Sequence, residues 1–266
     1  AGNPAPLILS RRVDFPIRAN VLTQWKYNHP SIQKIICVSQ AIERIVRGSV
    51  HHPDRCTTVH SGIDANRFIP PAGILRSKYS LAEDTLLIGN TSALAGHKDY
   101  FTFIRTAEIF RSFGISARFF MIGDGPEREK LARHIRGKGL QDYVIMTGFL
   151  QNIDEVLPEL DIFLMTSEME GLGTSVLDAF ATRVPVVATR AGGIPEMVIH
   201  QKTGLLAEVR AVEQLAAHLK LLSKDQALRT SLVEGAYHHL LSNFTKEKMA
   251  ERTLEVYREV LSGRGA

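Results

Sequence analysis

From Leu86 onward, apolar runs of strand length alternate with stretches of helical spacing. The runs are LLIGNT, ARFFMIG, YVIMTG, DIFLMTS, PVVAT and TGLLAE, and helical patterns begin between them near Tyr100, Glu127, Asn152, Thr174 and Pro195. Alternation of this kind predicts an α/β fold, a parallel sheet covered by helices on both faces. From Val212 the pattern is almost wholly helical and ends on FTKEKMAERTLEVYREVL, with Asn243 or Thr245 as the cap of that last helix.

Residues 1–64 follow a sparser pattern. They hold the strand candidates LILS, KIICVS and CTTVHS and one clear helix, Ala41 to Arg47, a thin basis for an independent core. The expectation is the back half of a lobe whose front half is missing, an incomplete second unit. FIPPAGILRSKYSLAED then reads as a connection, with Pro70 and Pro71 excluding regular structure. The expected division is a partial N-terminal lobe over 1–69, a connection over 70–84, a C-terminal lobe over 85–244, and a helix over 245–266 that packs back on the first lobe.

Composition changes this picture little. Hydrophobic residues at 44% and charged residues at 23% are ordinary for a globular protein, and no apolar run reaches the roughly 18 residues of a membrane span. Cys37 and Cys56 sit inside apolar runs and read as small core residues in a reducing compartment, not as a disulfide. Charge placement is more informative. Residues 1–64 hold eight Lys or Arg against four Asp or Glu, an excess equal to the whole chain's net charge of +4. A basic segment beside a neutral one suits an anionic partner or a membrane surface, or is simply a solvated face. Aromatic residues are not interleaved with these charges, which argues against a nucleic-acid groove.

Candidate chemistry gathers at the strand-to-helix turns. In SEMEGLGTSVLDAF, residues 167–180, Glu170 precedes a Gly-x-Gly turn and Asp178 lies just inside the helix that follows. Such turns are where open α/β sheets bind ligands. Gly171 and Gly173 leave room for a close approach, and the helix that begins near Thr174 and Ser175 would present free N-terminal amides, favourable to phosphate. Asp178 has a structural alternative, since with Ser175 it forms S-x-x-D, close to a capping box. ATRAGGIPE repeats the glycine-rich turn one strand later, with Glu196 near the positive end of a helix. Lys98, in ALAGHKDY, would come from the same sheet edge as a phosphate cation or stand as a solvent lysine. GDGPERE is either a plain turn or a backbone edge lining a ligand; Arg128 stands where a dinucleotide fingerprint needs its third glycine. No HExxH, CxxC, G-x-S-x-G, P-loop or Asp-x-Asp pair is present, so a bound diphosphate would rely on amides and cations without metal.

In order and spacing, HSGIDANRF, LLIGN…GHKDY, FFMIGDGPEREKL, VIMTGFL, DIFLMTSEMEGLGTSVLDAFA, PVVATRAGGIPEMV and TGLL together resemble the retaining glycosyltransferases of family 4, which have the GT-B fold of two Rossmann-like lobes. The resemblance covers roughly residues 57–261 and implies a nucleotide-sugar site on the C-terminal lobe. In these enzymes an E-x7-E signature serves the donor. Carried over, Glu170 would contact the transferred sugar and Asp178 the ribose, while amides from Leu172, Gly173, Thr174 and Ser175 would hold the diphosphate with Lys98. Gly171 would belong to the same turn, Gly123 would border the nucleotide, and Phe149 and Leu150 would lie beside the base.

The chain departs from the family pattern in three places. Asp178 replaces the usual second Glu, Ala93 stands where many members carry an arginine, and Arg183 replaces a glycine before PVVA, altering a helix end. The acceptor site, a glycine-rich loop and a catalytic histidine belong to the missing half-lobe; Arg11 and Arg12 would face the cleft. The implied activity is transfer of a sugar from a UDP- or GDP-type donor to a glycan or lipid-linked acceptor, with retention and without cofactor or metal. The implied setting is cytoplasmic, in peripheral contact with the inner face of a membrane and in cell-envelope polysaccharide synthesis. Competing readings are a nucleotide-binding fragment without turnover and a nucleotide-sugar epimerase of similar architecture; an NAD-dependent oxidoreductase is disfavoured by Arg128.

Overall fold

The computed structural model describes residues 5–17 and 20–263. Arg18, counted above among the basic residues, lies outside them. The smaller of two parallel sheets has the order β1-β2-β3, formed by β1 (Leu7–Arg11), β2 (Ile32–Cys37) and β3 (Cys56–Thr58), with α1 (Val21–Tyr27) and α2 (Gln40–Arg47) in its connections. A short helix α3 (Ile74–Lys78) precedes the larger sheet. That sheet is built from β4 (Leu86–Thr91), β5 (Ala117–Ile122), β6 (Val144–Gly148), β7 (Ile162–Met165), β8 (Val186–Thr189) and β9 (Leu205–Ala207). Helices α4 (Tyr100–Arg111), α5 (Arg128–Gly137), α6 (Ile153–Val156), α7 (Thr174–Ala181) and α8 (Ile194–Met197) connect successive strands. Then α9 (Val212–Lys224), α10 (Gln226–Asn243) and α11 (Lys246–Ser262) follow.

The larger sheet has the order β6-β5-β4-β7-β8-β9, so the direction of winding reverses between β4 and β7. Pairing is uneven there. β4 pairs with β5 along its whole length, from Leu86 opposite Ala117 to Thr91 opposite Ile122, but meets β7 only at Ile88 and Gly89. Beyond Gly89 the two strands part, and the buried Asn90 side chain spans the opening by donating to the Leu164 carbonyl at 2.8 Å. A reversal of this kind leaves a crevice at the carboxyl ends of the strands.

Both faces of the sheet are covered, which is why its strands read as unbroken apolar runs. One face packs Phe103 and Phe110 of α4 and Leu215 and Leu219 of α9 against Phe119 and Met121. The other packs Phe180 of α7 and Ala236 and Leu240 of α10 against Phe120 and Phe163, and this core runs on into Ile35 and Cys37 of the smaller sheet. Fully burying one such phenylalanine contributes about 2 kcal/mol. The α10–α11 junction crosses back to the first segment: Ile63 N–H donates to the Phe244 carbonyl and Lys246 N–H to that of Ile63, both at 2.9 Å. Thr245 caps α11, and Val256 packs with Ile36 and Val59 of the smaller lobe.

Two elements differ from expectation. The connection contains α3 despite its prolines, because proline restricts only its own neighbourhood. The Glu159 carboxylate, 85 residues from Ile74, accepts the Ile74 and Leu75 amides at 2.5 and 2.8 Å, and Leu75 is buried. Helix α1 was not expected: Val21, Leu22 and Trp25 share one of its faces, but it is only seven residues long and none of its residues is buried. Asn20 holds it by accepting the Thr23 amide at 2.8 Å.

Candidate functional site at the reversal of the sheet

The loops after β4 and β7 form facing walls of the crevice. After β4 the chain makes a tight turn over Gly96–Lys98, and Asp99 adopts φ 45° to cap α4 through the Thr102 amide. After β7, the Thr166 hydroxyl donates to the Lys98 and Asp99 carbonyls at 3.2 and 3.0 Å, and Glu168 N–H donates to the His97 carbonyl at 2.9 Å. These bonds lock the two loops together and bring Lys98 against Glu170. Lys98 Nζ donates to Glu170 Oε1, and the Ser167 hydroxyl reaches the same oxygen at 2.8 Å. Both donors use Oε1; Oε2 accepts no hydrogen bond among the described residues. Glu170 keeps only 7% of its surface exposed, and a buried acid needs such a partner to stay charged.

The turn beyond Glu170 supplies main-chain donors. Gly173 takes φ 89°, a conformation that favours glycine, and α7 starts directly after it. Val176 N–H is taken by the Gly173 carbonyl, but the amides of Leu172, Gly173, Thr174 and Ser175 have no acceptor among the described residues. These four residues, with Lys98, Glu170, Gly171 and Asp178, line one cavity of about 490 Å³, which also touches Arg12, Ser61 and Thr91–Ala93. Unpaired amides at a helix start beside a lysine form a site for anionic oxygen.

Asp178 closes the cavity at the far end. It is not the cap of α7; Gly173 holds that position, and the Asp178 carboxylate instead meets Arg67 Nη2 at 3.1 Å. The contact is poorly aligned: Asp178 Oδ1 is sealed from solvent and receives no hydrogen bond. Burial pushes the Asp178 carboxyl up to about 6, with Arg67 opposing and Asp154 adding to the rise.

The model for glycosyl transferases group 1 matches residues 73–239, well over half of the chain. The chain belongs to this family. An N-acetyl-alpha-D-glucosaminyl L-malate synthase from Bacillus anthracis is 29% identical over 192 residues, 70% of this chain and 49% of that protein. A GDP-mannose-dependent alpha-(1-6)-phosphatidylinositol monomannoside mannosyltransferase from Mycobacterium tuberculosis is 33% identical over 182 residues, 63% of this chain and 47% of that protein. The chain thus spans about half the length of these curated relatives. Among solved structures, Anabaena HepE in complex with UDP and glucose superposes with a TM-score of 0.85 at 20% identity, covering 95% of this chain and 71% of that one. That likeness shows the fold, GT-B.

Three of the residues expected at a family donor site do not line the cavity. Gly123 and the 149–150 pair lie at the ends of β5 and β6. Gly123, at φ 146°, packs its Cα against the Ser92 carbonyl, where a Cβ would come within 2.0 Å, and donates to the Gly148 carbonyl at 3.0 Å. Leu150 is half-buried against the core, and Phe149 stands 74% exposed. Arg12 lines the cavity, its Nη2 3.3 Å from Ser61 Oγ, whereas Arg11 turns away to the Tyr27 hydroxyl and the Phe15 carbonyl. Arg67 and Ser167 escaped assignment from sequence. Ser167 lay within the quoted motif, three residues before Glu170, but Arg67 has no local signal because its partner is 111 positions away.

Proposed function

We propose that the cavity is the donor site of a glycosyltransferase, one that moves a sugar from a nucleoside diphosphate sugar to a glycan or lipid-linked acceptor with retention of configuration. The observation that carries this reading is the meeting of a lysine-paired acid and four unbonded amides in one cavity at the reversal of the sheet. As the sugar–phosphate bond breaks, negative charge grows on the leaving diphosphate and positive charge on the sugar. The Leu172–Ser175 amides and the Lys98 ammonium meet the first charge without needing a metal ion, and such preorganised groups are commonly the largest catalytic term. Glu170, its Oε1 held by Lys98 and Ser167, has Oε2 to accept sugar hydroxyls and orient the ring for attack. Asp178 accepts from the ribose, and the edge formed by Gly123, Phe149 and Leu150 receives the base.

The donor type draws support from the relatives: the mycobacterial protein is named for GDP-mannose, and the Anabaena structure holds UDP. Two lipopolysaccharide core glycosyltransferases of Rhizobium meliloti among the relatives favour a cell-envelope acceptor. No helix among the described residues is long and apolar enough to cross a membrane. The basic first segment suits peripheral contact with the inner face of one, from the cytoplasm.

Calorimetric titration with UDP, GDP and ADP in the absence of metal tests the reading. One nucleotide binds selectively, and Lys98→Ala weakens it by about tenfold or more. Binding of none of the three, or an unchanged affinity in a folded Lys98→Ala variant, removes the site.

A further inference from the structure

Arg67 does not itself line the donor cavity but reaches Asp178, which does, from outside the larger lobe. It lies four residues past Ile63, where the first segment crosses the α10–α11 junction, and its guanidinium stacks 4.7 Å from the centre of the Phe68 ring. From there it spans two acids on different helices: Nε is 3.3 Å from Asp154 Oδ1 of α6, and Nη2 is 3.1 Å from Asp178 Oδ1 of α7. Among the described residues no other Lys or Arg is in ion-pair range of either acid. The other charged groups lining the cavity are Arg12, Lys98 and Glu170, and Lys98 is engaged by Glu170.

We infer that Arg67 is a positioning residue for the ribose: it keeps the Asp178 carboxylate ionised and fixed in place, while Asp154 anchors the guanidinium from behind. This rests on the reading of Asp178 as the ribose acceptor. An ionised carboxylate only accepts hydrogen bonds and can take both vicinal hydroxyls of a ribose; a protonated one spends an oxygen as a donor. Asp178 is prone to that loss. Its burial favours the neutral form, Asp154 adds to the effect, and Arg67 is the group that opposes both. Asp178 is also one methylene shorter than a glutamate, so it reaches less far and depends more on being held.

The test compares the ribonucleoside diphosphate that binds best with its 2′,3′-dideoxy analogue, by calorimetry from about pH 5.5 to about pH 8.5, a span that brackets the titration of a raised carboxyl. Wild type prefers the ribose form, and the preference fades below about 6 as Asp178 takes up a proton. Arg67→Met lowers affinity for the ribose form about tenfold near neutral pH, leaves the dideoxy form unchanged and moves the fading point upward. Arg67→Lys restores part of the preference. Asp154→Asn moves the fading point the other way, to lower pH, and decides the matter if Arg67→Met does not fold. Arg67→Met with an unaltered ribose preference and pH profile overturns the inference, as does an unmoved profile in Asp154→Asn. A wild type that binds nucleotide but treats the two sugars alike overturns the ribose role of Asp178, and the inference with it; a wild type that binds no nucleotide overturns the donor site as a whole.

Discussion

Glu196 and Asp178 stand just beyond successive strands of the larger sheet, and both reach partners from the first segment of the chain, yet the protein treats them in opposite ways. Glu196 is completed by its own chain. Its two oxygens accept the Ala41 and Gln40 amides at 2.8 Å each, closing the N-terminus of α2 from the other lobe, and His60 Nε2 adds a third contact at 2.8 Å. Burial pushes the Glu196 carboxyl up, but the bonds from His60, Gln40 and Ala41 more than reverse this and leave it below its ordinary value. Asp178 has one misaligned cation and a carboxyl raised to about 6. A carboxylate that accepts three hydrogen bonds holds two lobes together; one met by a single misaligned cation beside a cavity is ready for a ligand.

The largest effect should come from breaking the completed acid. Glu196→Ala leaves the α2 amides and His60 without their acceptor and should lower unfolding free energy by about 3 kcal/mol, read by urea denaturation. Asp178→Asn, by contrast, should cost little or stabilise above neutral pH, because it removes a charge that folding disfavours. The two acids also bend the pH profile in opposite directions, by about 3 kcal/mol for Asp178. Its folded value of about 6 lies above the ordinary 3.8, so the native state holds the proton longer and stability declines as pH rises between those values. Glu196 lies below 4.5 when folded, so its contribution is present above that pH and fades as pH falls further. Melting curves of Asp178→Asn should lose the first slope, and those of Glu196→Gln the second.

The smallest effect concerns the end of α7, the helix that carries Asp178. Arg183 adopts φ 57° there, and the Val184 amide donates back to the Ala179 carbonyl at 2.9 Å, a helix ending that favours glycine. Arg183 also stacks on Tyr237 at 4.2 Å and pairs with Glu234. Since Ala and Gly both remove those contacts, Arg183→Gly should exceed Arg183→Ala in stability by about 1 kcal/mol, the strain of a side chain in that conformation. Equal stabilities would show that the helix end relaxes.

Much of the fold was legible because parallel strands buried on both faces leave continuous apolar runs; all six runs read from sequence coincide with β4 to β9 within a residue or two. Eight of the eleven candidate site residues gather on one cavity because they belong to the loop after β4 and to the loop and helix α7 after β7, at the same sheet edge. What stayed hidden was contact between distant segments. Arg67 meets Asp178, Glu159 caps α3, and Glu196 caps α2, each across at least 84 residues, and no local spacing records such a meeting. Helix α1 was hidden for a different reason: at seven residues it is too short for the spacing of Val21, Leu22 and Trp25 to stand out as a helical pattern.

The two glycine-rich turns behind Glu170 are nested main chain against main chain. A Cβ on Gly192 would lie 1.9 Å from the Glu170 carbonyl oxygen, one on Gly193 would lie 2.4 Å from that of Gly171, and the Gly193 amide donates to the Glu170 carbonyl at 3.0 Å. With no side chain between them, neither turn can shift unless the other moves too. This wall therefore behaves as a rigid jaw whose shape is nearly independent of side-chain substitution. With that wall fixed, inheritable change in what the cavity accepts falls to the side chains that line it elsewhere, such as Arg12 and Ala93.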